Sequence, residues 1–292
     1  MSITLKRRTF ITGLAATACQ TSSALYGAVP SMPDFSALPP EKRADAERMF
    51  ARMMAAMPYE RTTVKGSSAF AEWERLKGLG KGWPVLVGDD DALERIAEQF
   101  TMGDPTIFPS PALQLPPPRA PSAILEAANH LTFPRDLNKW GGAYRPEDLH
   151  APLGTWPETI TAVPDAWGTS VAMDIIKGIP LDTVHVLFIP TEHSWEVPAY
   201  LRWGDWNACP PPEYHVAALR HWHDAFGAEL VGIGGDRMDL RVKAPPVRHA
   251  EALTVAKEIY RYCPDSVDQG TQTLAALAAT MVSGPWWNLW WD

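Results

Sequence analysis

From residue 180 to its end the sequence predicts an α+β fold, a largely antiparallel sheet with helices packed on one face. Three observations carry this. Two strand-like runs precede a histidine-rich helix, a Gly-Gly-Asp turn joins two more, and two helices separate those from a closing aromatic run. The resulting order is strand, strand, helix, strand, strand, helix, helix, strand.

Each element has its own reason. Val184 to Ile189, "VHVLFI", is almost wholly apolar and reads as a central strand covered on both faces. "EVPAYLRW" alternates Val197, Ala199, Leu201 and Trp203 against polar neighbours, which predicts a second strand with one wet face, joined to the first through "TEHSW". Next comes a helix in which His215, Leu219, Trp222 and Phe226 form one stripe, while Arg220 and Asp224 face water. "ELVGI" and "RMDLRVK" around "GGD" predict a hairpin whose Met238, Leu240 and Val242 point one way. Helices follow near Arg248 to Tyr262 and Thr271 to Val282. In the closing "PWWNLWWD", both alternating faces are aromatic apart from Asn288, so most of these rings belong to a core.

The chain divides into five regions. Residues 1–28 read as an export signal and 29–58 as a tether with an amphipathic helix. Residues 59–128 form a small α/β module with a proline-rich connector, 129–179 an ordered loop region, and 180–292 the α+β domain. In the signal, Arg7 and Arg8 stand before a short apolar run with Phe10 one residue on, a twin-arginine-like layout of bacterial type. Cleavage fits after Ala18 or Ala24. Cys19, directly after Ala18, is a lipidation candidate, so the expected location is the periplasm or a membrane surface reached through Cys19.

The helix after the tether begins at Pro40, stops at Pro58, and sets Met49, Met53 and Met57 on a packing face. "GWPVLVGDDDALERIAEQF" predicts a strand and a helix, one of Asp89 to Asp91 capping the latter. The same acids sit where open α/β sheets place ligands, although no glycine-rich phosphate loop accompanies them. The connector from Asp104 to Pro121 is too proline-dense for regular structure, and a short helix follows it near Pro121 to Ala128. In the loop region Trp140, Trp156 and Trp167 supply apolar surface that needs cover.

Composition narrows the function classes. The chain has 292 residues and a net charge of −8, and its first 33 residues hold three cations and no acid. So acidic a body argues against nucleic acid as partner. No apolar run approaches the roughly 20 residues a membrane-spanning helix needs.

"WNACPPPEYHVAALRHWHD" holds the candidate chemistry. Cys209 lies before a helix N-terminus, which favours a thiolate. His215 lies in the first turn, where the same dipole favours a neutral base. These are the states a nucleophile and its general base require, with Asp265 or Asp268 as orienter. His221 and His223 flank the stripe on opposite sides, so the three histidines do not predict a metal site. Cys209 and Cys263 remain open to three readings: two buried free thiols, a disulfide, or a catalytic or ligating role. Asp265 is positioned to cap the last helix. No cofactor is indicated. A small molecule or a protein is the expected partner, and the function is that of a binding or accessory protein, with a Cys209/His215-dependent hydrolase or transferase and an immunity-type masking protein as alternatives.

The segments "VPAYLRWG", "WNACPPPEYHVAALR", "FGAELV", "YCPDSVDQGTQTLAALAA" and "WWD" resemble the bacterial family of unknown function numbered 4253. "WPVLVGDDDALERIAEQF" resembles the N-terminal part of its longer members. The resemblance implies that Trp206, Asn207, Cys209, Pro210, His215, Tyr262, Cys263, Pro264, Asp265, Asp268, Gln269 and Gly270 are signature positions. It also implies a second glycine where this chain has Asp205. The family is not defined by secretion and implies no reaction.

Overall fold

A computed structural model describes residues 32–101, 104, 118–159 and 168–292. The signal positions Arg7, Arg8, Phe10 and Cys19, Trp167 and most of the proline-rich connector lie outside the described residues. The fold is α+β, built on a mixed, mostly antiparallel six-stranded sheet with helices packed around it.

The first helix, α1 (Pro40–Ala56), starts on a proline and buries Phe50, Met53 and Met54. Strand β1 (Glu60–Val64) and helix α2 (Ala69–Lys77) lead to β2 (Trp83–Gly88), whose six residues are all buried. Helix α3 (Asp90–Glu98) is capped by Asp89, whose side chain accepts from the Ala92 N–H. Helix α4 (Pro121–Asn129) precedes the tryptophan-rich region, in which Trp140 and Trp156 pack against the main core. That region ends in a small hairpin, β3 (Met173–Asp174) with β4 (Ile179–Pro180).

The C-terminal elements are β5 (Val184–Ile189), α5 (Val197–Leu201), α6 (Pro212–Phe226), β6 (Ala228–Ile233), β7 (Arg237–Val242), α7 (His249–Tyr262), α8 (Leu274–Ser283) and β8 (Trp286–Trp290). The main sheet runs β1-β5-β2-β6-β7-β8. Only β2 and β6 pair in parallel.

Three expectations are corrected. "EVPAYLRW" is not a strand: residues 194–196 form a 3-10 turn and 197–201 a short helix, so "TEHSW" closes no hairpin. Pro198 lacks the N–H a ladder needs and suits a first helical turn, and Val197, Pro198, Ala199 and Leu201 are all buried, which leaves no wet face. Helical cover is also not confined to one face: helices pack around the sheet, and β2, β5 and β6 are buried along their whole length. Nor does the sheet respect the boundary expected at residue 128. β1 and β2 both pair with β5, and β2 lies between β5 and β6.

Candidate functional site

The loop from Leu201 to Pro212 is set by its backbone. Arg202, Gly204, Asp205 and Asn207 have φ of 53°, 119°, 67° and 45°, in the left-handed region most side chains avoid. Asp205 is thus where a glycine would relieve strain, the position at which the family resemblance implied one. The Asp205 N–H donates to the Pro210 carbonyl at 2.9 Å and the Cys209 N–H to the Trp206 carbonyl at 2.7 Å, closing the loop on itself. Pro211 holds an extended entry and Pro212 opens α6, so the first turn of α6 points His215 back under the loop.

His215 is fully buried and its ring has partners on every side. Trp203, Tyr262 and Trp291 meet it edge-on, at centroid distances of 4.8, 5.4 and 5.5 Å. Nδ1 bonds to the Tyr262 hydroxyl, and Nε2 lies 3.4 Å from the Cys209 thiol. Gly204 is required here, since a Cβ would lie 2.1 Å from the Pro210 carbonyl oxygen and 2.7 Å from Nε2. Burial pushes the His215 pKa down to about 3, opposed by a hydrogen bond to that Pro210 carbonyl.

These contacts set the charge state of the ring. Burial holds the ring neutral, and with its two nitrogens against Tyr262 and Cys209 it has little room to gain a proton. Burial, then the neighbouring Cys209 and Cys263, raise the Tyr262 phenol well above its ordinary value, so the group bonded to Nδ1 is a neutral hydroxyl. Taking the Cys209 proton would leave a buried imidazolium, which desolvation disfavours, so the ring is a poor base for that thiol.

The expected orienters stand elsewhere. Asp265 accepts from the Gln269 side chain at 2.9 Å and the Asp292 N–H at 3.0 Å. It does not cap the last helix: α8 is capped by Thr273, and a π-helical turn over residues 266–271 intervenes. Asp268 is exposed and accepts from the Tyr260 hydroxyl at 2.9 Å. Tyr262 is what orients His215. Its sequence signal was its place beside Cys263 in "YCPD", with a hydroxyl that burial obliges to find a partner.

Cys209 and Cys263 are both buried and are not joined in a disulfide. The Cys263 thiol donates to the Trp290 carbonyl at 2.9 Å and accepts from the Ser266 hydroxyl at 3.1 Å. Burial pushes its pKa up to about 12, the opposite of a reactive cysteine. His221 pairs with Glu258 at 3.2 Å, and the His223 Nδ1–H donates to the Ala228 carbonyl at 3.0 Å, so neither joins His215. Among the described residues no three His, Cys, Asp or Glu side chains are placed to hold a metal ion, and no helix is long and apolar enough to cross a membrane.

Sequence reasoning also missed two buried polar sites. His185 on β5 bonds through Nε2 to Asp90 at 2.6 Å, beside the Asp89 cap. Asp239, in the middle of β7, is completely buried.

Above the His215 cluster lies a polar ledge. The Asn207 side chain donates to the Asp292 carbonyl at 3.0 Å, and the Asp292 N–H reaches Asp265, which also holds Gln269. Asn207, Asp268, Gln269 and Gly270 are exposed. The signature set thus splits into a buried half under the loop and an exposed half on the ledge. No curated protein and no solved structure matches the chain. Residues 185–292, which hold the His215 cluster and nearly all of β5 to β8, match the model of the family described as domain of unknown function (DUF4253).

Proposed function

We propose that this chain is an exported bacterial binding or accessory protein, periplasmic or anchored through Cys19, whose ledge of Asn207, Asp265, Asp268 and Gln269 meets the partner. The observation that carries this is the enclosure of His215. Nδ1 is bonded to Tyr262, Nε2 lies against Cys209, and the rings of Trp203, Tyr262 and Trp291 close around them. In such a cluster the polar groups fix the shape of the loop above them, and the loop and π-helical turn in turn set the ledge.

The 3.4 Å contact of Cys209 with His215 favours a second reading, a cysteine hydrolase or transferase. That reading needs the cluster to open to water and substrate, so that an imidazolium at His215 is solvated.

Two experiments test the proposal. An export-dependent reporter fused to residues 1–40 is expected to become active, and activity confined to the cytoplasm would overturn the location. A photo-crosslinking residue at Gln269 in the full chain, expressed in its own cells, is expected to capture one discrete partner. No product there, with efficient capture from a control position on α1, would overturn the ledge as the binding face.

A further inference from the structure

A row of side chains crosses β6, β7 and β8 on one face. The register pairs Gly232 with Asp239 and Asp239 with Asn288, and directly paired residues share a face. Three donors converge on the Asp239 carboxylate. The Ser170 hydroxyl and the Asn288 amide each lie 2.6 Å from Oδ1, and the Val171 N–H lies 2.9 Å from Oδ2. Asn288 also donates to the Gly168 carbonyl at 2.9 Å. Gly232 leaves the space: a Cβ there would lie 3.0 Å from Oδ2 and 2.5 Å from the Val171 side chain. The row is a polar seat cut into an apolar sheet, and residues 168–171 occupy it. They lead directly into the β3–β4 hairpin, whose tip residue Ile176 is 99% exposed.

We infer that this seat is a proton-operated latch, in which residues 168–172 and the hairpin beyond them are held more tightly when Asp239 carries a proton than when it is ionised. The reason is a difference in solvation. Seated, the carboxyl is out of water, and burial pushes its pKa up to about 6 although Ser170, Val171, Asn288 and Arg237 all pull it down. With the segment lifted, water reaches the carboxyl and its pKa returns toward the ordinary 3.8. A proton binds the seated form more tightly, so by linkage acid favours seating. The Ser170 hydroxyl can turn from donor to acceptor, so the protonated carboxyl keeps a partner. Arg237, two residues along β7, is the charged group acting on the site. The neighbours from β6, β8 and the turn before β3 are Gly232, Asn288, Ser170 and Val171, none of them ionisable.

Hydrogen exchange in the full chain reads the latch directly. The exchange rate of the Val171 amide, corrected for its intrinsic pH dependence and referred to β5 amides, gives the opening constant of the segment. Between pH 5 and 7.5 that constant is expected to rise about tenfold, and to stay flat in Asp239→Asn. No rise in the wild type, or the same rise in Asp239→Asn, would overturn the latch. Should that variant not fold, Ser170→Ala carries the test. It removes a bond that holds the carboxyl pKa down, so the midpoint of the rise must move to higher pH, and an unmoved midpoint would overturn the proposal.

Discussion

His215 and Asp239 are both removed from water, yet the two regions around them respond to acid in opposite senses. His215 sits among aromatic rings and is neutral at ordinary pH, with a folded-state pKa of about 3 against 6.5 for the free side chain. The unfolded chain takes up that proton first, so the contribution of His215 to stability is intact above pH 6.5 and is lost as pH falls toward 3. Asp239 has a folded-state pKa of about 6 against 3.8, so its contribution is present below 3.8 and is lost as pH rises through 6. Between pH 4 and 6 the two slopes oppose each other, each about 1.4 kcal/mol per pH unit. Burial alone therefore does not make a rigid site or a responsive one; the sign and position of the pKa shift decide it.

The comparison can be broken first at Gly204. Gly204→Ala forces a Cβ into the Pro210 carbonyl at a φ of 119° and should cost about 4 kcal/mol or more in urea unfolding. A loss under about 1 kcal/mol would mean the loop is not tightly closed over His215. Next in size, His215→Phe removes the acid-sensitive ring while keeping an aromatic shape. Relative to wild type, its stability should fall about 3 kcal/mol less between pH 6.5 and 4, an effect read from the slope and not from the absolute loss. Parallel pH profiles would show that His215 is not held neutral. Tyr262→Phe keeps the packing but leaves Nδ1 without its hydrogen-bond partner and should cost about 2 kcal/mol at pH 7. Asn207→Ala touches only the exposed ledge and should change stability by less than about 0.5 kcal/mol. A larger loss there would make the ledge part of the scaffold.

Much of the fold was legible in the sequence because apolar periodicity reports burial directly. The hairpin of β6 and β7, the three long C-terminal helices and the aromatic β8 follow from it, and so does the central strand β5. "EVPAYLRW" failed because alternation alone cannot separate a half-wet strand from a short buried helix, and Pro198 was the overlooked arbiter. The shared sheet was hidden because pairing between β2 and β6 joins residues far apart in sequence. Of the candidate site, the junction of Cys209 and His215 was readable from one helix and its proline entry. Tyr262 and the aromatic lid come from distant elements, so only packing brings them together. Asn288 was visible as the exception in an aromatic run, but its partner Asp239 was hidden inside an otherwise regular strand.

The central claim is that the His215 cluster is closed and gives Cys209 no effective base. It is tested most directly by the rate at which Cys209 is alkylated by iodoacetamide in the native full chain at pH 7.5, in a Cys263→Ala background. The account predicts modification no faster than global unfolding admits the reagent, with a rate that does not fall in His215→Ala. Rapid alkylation of the native protein that slows in His215→Ala would contradict it and make Cys209 and His215 a catalytic pair.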